Sequence, residues 1–190
     1  AAHDMTWDAV SQEGSGQMRM SVILAGVAAT VGALVLAMAN PSPATASGDW
    51  ALNGTYTATS NGEWAATNDV FHNEKSLRST WTISTVCSYP TECAGTVTSD
   101  FGWTAPIYQT GGEWYVKRVI PNWMPCQTQD GPDADGFQVF RFHGASPDGA
   151  QSVPTTTFLV GTDATTGAKG ACGRGLPLYI TMPFKLVKQG

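Results

Sequence analysis

The chain has 190 residues, with 10 Lys+Arg against 15 Asp+Glu and a net charge of −5. Only 13% of its residues are charged, about half the usual share, whereas 42% are hydrophobic and 10% aromatic. Such a composition builds one domain with its own core and excludes a disordered chain, which is poor in aromatics and rich in charge. It also disfavours a nucleic-acid binder, because the phosphate backbone demands a clustered basic face.

Residues 1–17 are polar and precede Met18 and Met20, either of which suits a natural start, so they read as an extension and not as a functional domain. Arg19 is followed by an uncharged apolar run over residues 21–39, then by Pro41 and Pro43, then by Ala44-Thr45-Ala46. A basic residue, an apolar stretch, a helix-breaking segment and a small-x-small site are the four parts of a secretory signal. Cleavage is expected after Ala46, with Ala39 as the next choice. The competing expectation is a retained membrane anchor, since the run is about as long as a bilayer crossing. Its Ala and Gly content, and the lack of a basic stop-transfer cluster after it, favour the signal. The expected organisation is therefore an extension (1–17), a hydrophobic signal helix or anchor (18–46) and one β-rich extracytoplasmic domain (47–190).

Beyond Ser47 the apolar period becomes two, the period of a strand with one face in a core. Strands are predicted over residues 54–60, 77–86, 95–99, 113–120, 137–142, 155–160 and 176–187. Within 77–86, Trp81 and Ile83 share a face. In the last run Leu176, Leu178, Ile180, Met182, Phe184 and Leu186 occupy alternate positions. Asn61-Gly62, Gly111-Gly112, Asp148-Gly149 and Gly161-Thr162-Asp163 read as the turns between strands. Pro183 removes a ladder donor, which predicts an edge or a bulge at that point. Residues 64–75 are the one stretch with a weak helical pattern. About seven or eight short strands at this spacing predict an all-β fold, either an antiparallel sandwich or an up-and-down barrel.

Four cysteines allow three connectivities. Cys87 and Cys93 flank a proline-containing turn, which favours pairing them, and elimination then pairs Cys126 with Cys172. Zinc is the competing use, but the near pair is wider than Cys-x₂₋₄-Cys, and His72 and His143 are isolated. In an exported chain disulfides are the expected outcome, and no metal site is expected. The loop carrying Asp130, Asp133 and Asp135 has the oxygens a calcium site needs, but Arg141 stands where an EF-hand places its bidentate Glu.

Gly48-Asp-Trp50, Gly62-Glu-Trp64 and Gly112-Glu-Trp114 repeat a Gly-acid-Trp pattern, with Gly102-Trp103 as a looser echo. The plainer role is a turn glycine followed by a Trp that opens the next strand. The sharper one is a ring of indoles gripping a sugar or an acyl chain, for which Trp64, Trp81, Trp103, Trp114 and Trp123 are the candidates. Met124 joins them. In Pro121-Asn-Trp-Met-Pro-Cys126 the two prolines stiffen an apolar corner that either covers the core or forms the lip of a ligand mouth. There is no nucleophile elbow and no Ser-x-x-Lys with partner motifs, and the Gly-rich stretch 170–175 lacks the Lys-Ser/Thr of a phosphate cradle. Glu63, Glu74, Glu92 and Glu113 could supply paired carboxylates, but nothing in their spacing fixes a distance. No catalytic residue and no cofactor is assigned.

Residues 54–64, Trp81-Thr-Ile-Ser with Cys87, Glu92-Cys-Ala-Gly-Thr-Val-Thr-Ser99 with Gly102-Trp103, and Pro121 to Cys126 together resemble a family of small, secreted, uncharacterised proteins of mycobacteria. The resemblance spans most of the mature chain and implies a cell-envelope or extracellular location, and it carries no catalytic residues. The leading expectation is an exported, non-catalytic β domain that binds an apolar or glycan ligand or a protein partner, with no nucleic-acid partner and with membrane contact only through residues 21–39 if they are retained. The rivals are a secreted hydrolase with a carboxylate or histidine site, and a membrane-tethered structural protein.

Overall fold

The computed structural model describes residues 50–126 and 133–190. The expectations placed on residues 1–17, the apolar run 21–39, the cleavage site at Ala46 and Asp130 lie outside them. The described chain is all β: β1 (Gly54–Ser60), β2 (Ala66–Thr67), β3 (Val70–Phe71), β4 (Leu77–Tyr89), β5 (Glu92–Ser99), β6 (Thr104–Thr110), β7 (Glu113–Met124), β8 (Ala134–Gly144), β9 (Phe158–Gly167) and β10 (Tyr179–Lys188). The long strands follow one another around the sheet, β1-β4-β5-β6-β7-β8-β9-β10, all antiparallel, and β10 returns to pair with β1. That last pairing decides between the two predicted architectures. It closes an up-and-down barrel of eight strands, from which β2 and β3 extend as a short flap on β10.

Period-two patterning explains why these segments fold this way. Along β4, Trp81, Ile83, Thr85 and Cys87 are buried while Thr82, Ser84, Val86 and Ser88 are exposed, so β-branched and small polar residues coat the outside of the pleat. The half of the barrel nearest the start of β1 is filled by Tyr56, Ile83, Val97, Ile107, Val116, Phe142, Leu159 and Leu186, all fully buried. Trp81 lies at the centre of an aromatic cluster, edge-on to Phe140 at 4.9 Å and to Trp103 at 5.4 Å, and tilted against Phe184 at 5.3 Å.

Four local departures from the sequence reading have physical causes. Residues 64–75 form no helix. A single 3-10 turn (Gly62–Trp64), capped by the Asn61 side chain accepting from the Glu63 amide, leads into β2 and β3, whose two-residue turn uses Asn68 and Asp69 at positive φ. Strand β6 was not predicted because Pro106 interrupts it. The β6–β7 pairing begins only at Ile107, so Pro106 sits where β6 is paired on one side alone. Gly161 is not a turn residue but the middle of β9, where a Cβ would fall 2.0 Å from the Arg141 carbonyl oxygen. The glycine there permits a close strand approach. Pro183 lies neither at an edge nor in a bulge: its carbonyl accepts from Asn61 just past the end of β1, before β2 takes over as partner, so its missing N–H faces the gap between two pairings.

Both preferred disulfides are present. Cys87–Cys93 staples the β4–β5 hairpin, and Cys126–Cys172 joins the β7–β8 connection to the β9–β10 connection.

Candidate functional site: a polar floor in an apolar barrel mouth

An up-and-down barrel places alternate connections at the same end. Here the β1–β4, β5–β6, β7–β8 and β9–β10 connections share one end, and there the interior changes character. Continuing the inward period of β7 from Trp114 and Val116 gives Arg118, that of β8 gives Gln138 next to Phe140, and that of β9 gives Asp163 and Thr165 after Leu159. The register sets Arg118 opposite Gln138 and Gln138 opposite Thr165. Strand order and alternation together therefore gather four polar side chains inside the barrel, and Ser60 at the end of β1 completes the group.

Arg118, Gln138, Asp163 and Ser60 form a chain of hydrogen bonds. The Arg118 Nε donates to Gln138 Oε1 at 2.7 Å, Gln138 Nε2 donates to Asp163 Oδ1 at 2.7 Å, and Ser60 Oγ donates to Asp163 Oδ2 at 2.6 Å. A guanidinium on one side and a carboxylate on the other fix the orientation of the Gln138 amide. The Arg118 guanidinium also lies 4.5 Å from the Trp103 ring, a cation–π arrangement. Asp163 is 4% exposed, and burial pushes its carboxyl above the usual range against the opposing pull of Ser60, Gln138 and the Arg118 charge. Burial likewise lowers the pKa of Arg118, opposed by Asp163. Among the described residues no carboxylate oxygen lies within 4.0 Å of the guanidinium nitrogens of Arg118, so Gln138 bridges the two charges.

Above this floor opens a cavity of about 250 Å³, walled by Leu77, Ile120, Trp123, Ile180 and Met182. A smaller space of about 30 Å³ beneath Trp103 shares Arg118, Gln138 and Asp163 and is also lined by Trp81, whose Nε1 is buried without a hydrogen-bond partner. Trp123 reaches the wall because Gly136 leaves room for it: a Cβ there would sit 2.8 Å from the indole. Apolar walls with a few convergent polar groups are the ordinary make-up of a small-molecule site.

The raised carboxyl of Asp163 has a measurable consequence. A folded-state value above the unfolded one, near 3.9, means that the native state holds the proton more tightly. The associated stabilisation is complete in acid and is lost as pH rises through the raised value. Urea unfolding between about pH 4 and pH 7 is expected to show the stability of the native sequence falling relative to that of Asp163→Asn as pH rises. A pH-independent difference would remove the buried carboxylate from the argument.

The six predicted ligand residues do not converge on one ring. Trp81 (1% exposed), Trp114 (3%) and Met124 (3%) are buried, Trp81 and Trp114 within the main core. Trp103 covers the polar floor, Trp123 lines the mouth, and Trp64 stands on the 3-10 turn, 69% exposed. The residues that sequence reasoning missed are Arg118, Gln138 and Asp163. Their signal was the inward position of polar side chains in strands otherwise apolar on that face. It was hidden at Asp163 by reading residues 161–163 as a turn.

A second cavity of about 330 Å³ lies at the opposite end, lined by Trp50, Gln109, Trp114, His143 and residues 152–156. His143 Nδ1 is 3.4 Å from Glu113 Oε1, whose other oxygen is 3.4 Å from Arg141 Nε. Among the described residues no hydroxyl hydrogen-bonds the His143 ring, and His72 is paired with Glu74 at 3.0 Å on the exposed flap side. Asp133 and Asp135 accept from the Cys126 and Asn122 amides, so these two carboxylates of the acidic loop brace the backbone around the β7 bulge.

No protein-family model and no curated relative matches the sequence. Among solved structures the chain is similar to the monomer form of the M. tuberculosis PknI sensor domain, with a TM-score of 0.51 and 16% identity over 74% of this chain and 88% of that one. At that identity the likeness is one of fold: the barrel is shared with a mycobacterial sensor domain.

Proposed function

We propose that this protein is an exported, non-catalytic binding domain of the cell envelope that takes an apolar or amphiphilic ligand into the mouth of its barrel. The observation that carries the reading is the polar cluster Arg118–Gln138–Asp163–Ser60 at the base of a cavity walled by Leu77, Ile120, Trp123, Ile180 and Met182. A barrel with no ligand to receive gains nothing from burying charge, since satisfied apolar packing at the same positions is at least as stable. Two disulfides and the apolar run at 21–39 support a location outside the cytosol. The shared fold with the sensor domain of PknI is in keeping with a receptor role.

The test is binding of N-phenyl-1-naphthylamine, a neutral apolar dye, followed by fluorescence. The native sequence is expected to bind it and Ile180→Trp, which fills the mouth, to bind it at least tenfold more weakly. Thr155→Trp, in the opposite cavity, is expected to leave binding unchanged. Loss of binding in Thr155→Trp alone would move the site to the other end, and failure of the native sequence to bind would overturn the reading. Mass spectrometry of the natural protein, giving its N-terminus and its thiol count, tests export: an intact N-terminus with free thiols would refute it.

A further inference from the structure

We infer that the mouth selects a carboxylate-headed amphiphile, bound head-down on Arg118 with its alkyl tail leaving through the rim. The inference rests on the mouth reading above and adds the chemistry of the head group. Of the two charges in the floor, Asp163 already accepts from Ser60 and Gln138. Among the described residues Arg118 gives only its Nε, and that to a neutral amide, while a guanidinium carries five N–H donors. It lines both the mouth and the smaller space below. The face of Trp103, 4.5 Å away, holds the guanidinium and leaves its donor edge for a ligand. The group that best fills such an edge is a planar carboxylate, which takes two parallel charge-assisted hydrogen bonds.

The Asp163 carboxylate does not cancel this preference. Gln138 separates it from Arg118, so an anion in contact with the guanidinium lies closer to the cation than to the acid, and Coulomb energy falls with distance. A cationic head group would be repelled by the guanidinium that lines the cavity beside Asp163, and a neutral alcohol would forgo one of the two hydrogen bonds.

Volume sets the orientation of the tail. A cavity of about 250 Å³ holds about eight groups of ~30 Å³ each, so the head and the first few carbons fit and a longer chain must emerge. It would emerge among exposed apolar side chains on the connections at that end: Trp64 (69%), Phe71 (64%), Phe101 (57%) and Leu176 (77%). Large exposed hydrophobics on the connections of one end mark a surface that meets apolar material.

Calorimetric titration with decanoate and with 1-decanol, at a pH where the acid is ionised, tests the head group. The native sequence is expected to bind decanoate at least tenfold more tightly than the alcohol, and Arg118→Met to lose that preference. Equal affinities in the native sequence, or an unchanged preference in Arg118→Met, would overturn the assignment. If Arg118→Met does not fold, Arg118→Lys serves instead: it keeps the charge but not the fork, and a preference that stays undiminished refutes the bidentate contact. If decanoate and decanol both fail while the neutral dye still binds, the carboxylate assignment falls and the mouth reading stands. If the dye fails as well, both fall.

Discussion

Trp81→Ala is expected to destabilise the barrel by about 4 kcal/mol, the range for deleting a large aromatic from a packed core. The indole is 1% exposed and makes aromatic contacts with Trp103, Phe140, Phe142 and Phe184, four side chains from three other regions of the barrel wall and its lid. Alanine would leave a cavity that closed sheet geometry cannot collapse to fill, since every strand is held by neighbours on both sides. Urea unfolding measures the loss. Trp64→Ala is the matched control: that indole is 69% exposed on a turn, and its removal is expected to change stability by no more than about 0.5 kcal/mol. Similar losses in the two variants would mean that Trp81 is not the centre of the core.

The second large effect belongs to the long disulfide. Replacing Cys126 and Cys172 together by serine releases a loop with a sequence separation of 46, worth about 4 kcal/mol in the chain-entropy model. The same replacement at Cys87 and Cys93, with a separation of 6, releases about 2 kcal/mol. Thermal melts of both double variants, alongside the native sequence with and without reductant, should rank in that order. The long bridge carries a local consequence as well, because it ties Cys126, just past the end of β7, to Cys172 between β9 and β10, at the end of the barrel where the mouth opens. Its loss is expected to weaken dye binding at a temperature where the barrel is still folded. An unchanged melting temperature under reductant would show that neither bridge contributes.

Much of this architecture was legible in the sequence. Inward positions alternate so regularly in β1 and in β4 from Trp81 onward that strand, face and burial could be read together, and Gly54–Ser60 begins and ends where the alternation does. In β10 only Phe184 and Leu186 of the alternating set are buried, and Leu176 lies before the strand, 77% exposed. Closure was not legible. A sandwich and a barrel use the same short strands, and the difference is a pairing between the first and last of them. The weak points were residues whose local chemistry says one thing and whose tertiary setting says another. Pro106 signals an interruption, yet it occupies a stretch paired on one side only. Gly161 signals a turn, yet it is a place where β8 and β9 lie too close for a side chain. That second misreading also concealed the candidate site, since Asp163 two residues later becomes visible as an inward acid only once β9 is known to run on to Gly167. The tryptophans were the conspicuous feature and the polar floor the inconspicuous one, because an indole announces itself by rarity and an Arg or Gln on a strand does not.

The pairing of β1 with β10 has a consequence for the birth of the molecule. Nearly the whole described chain separates Tyr56 from its partner Lys188, so the first strand cannot find its second neighbour until β10 has been synthesised. Pairings of such long range are slow, because the loop they close must be gathered before any contact rewards it. Hairpins between successive strands can pair early, but the ring itself closes only once β10 has been made.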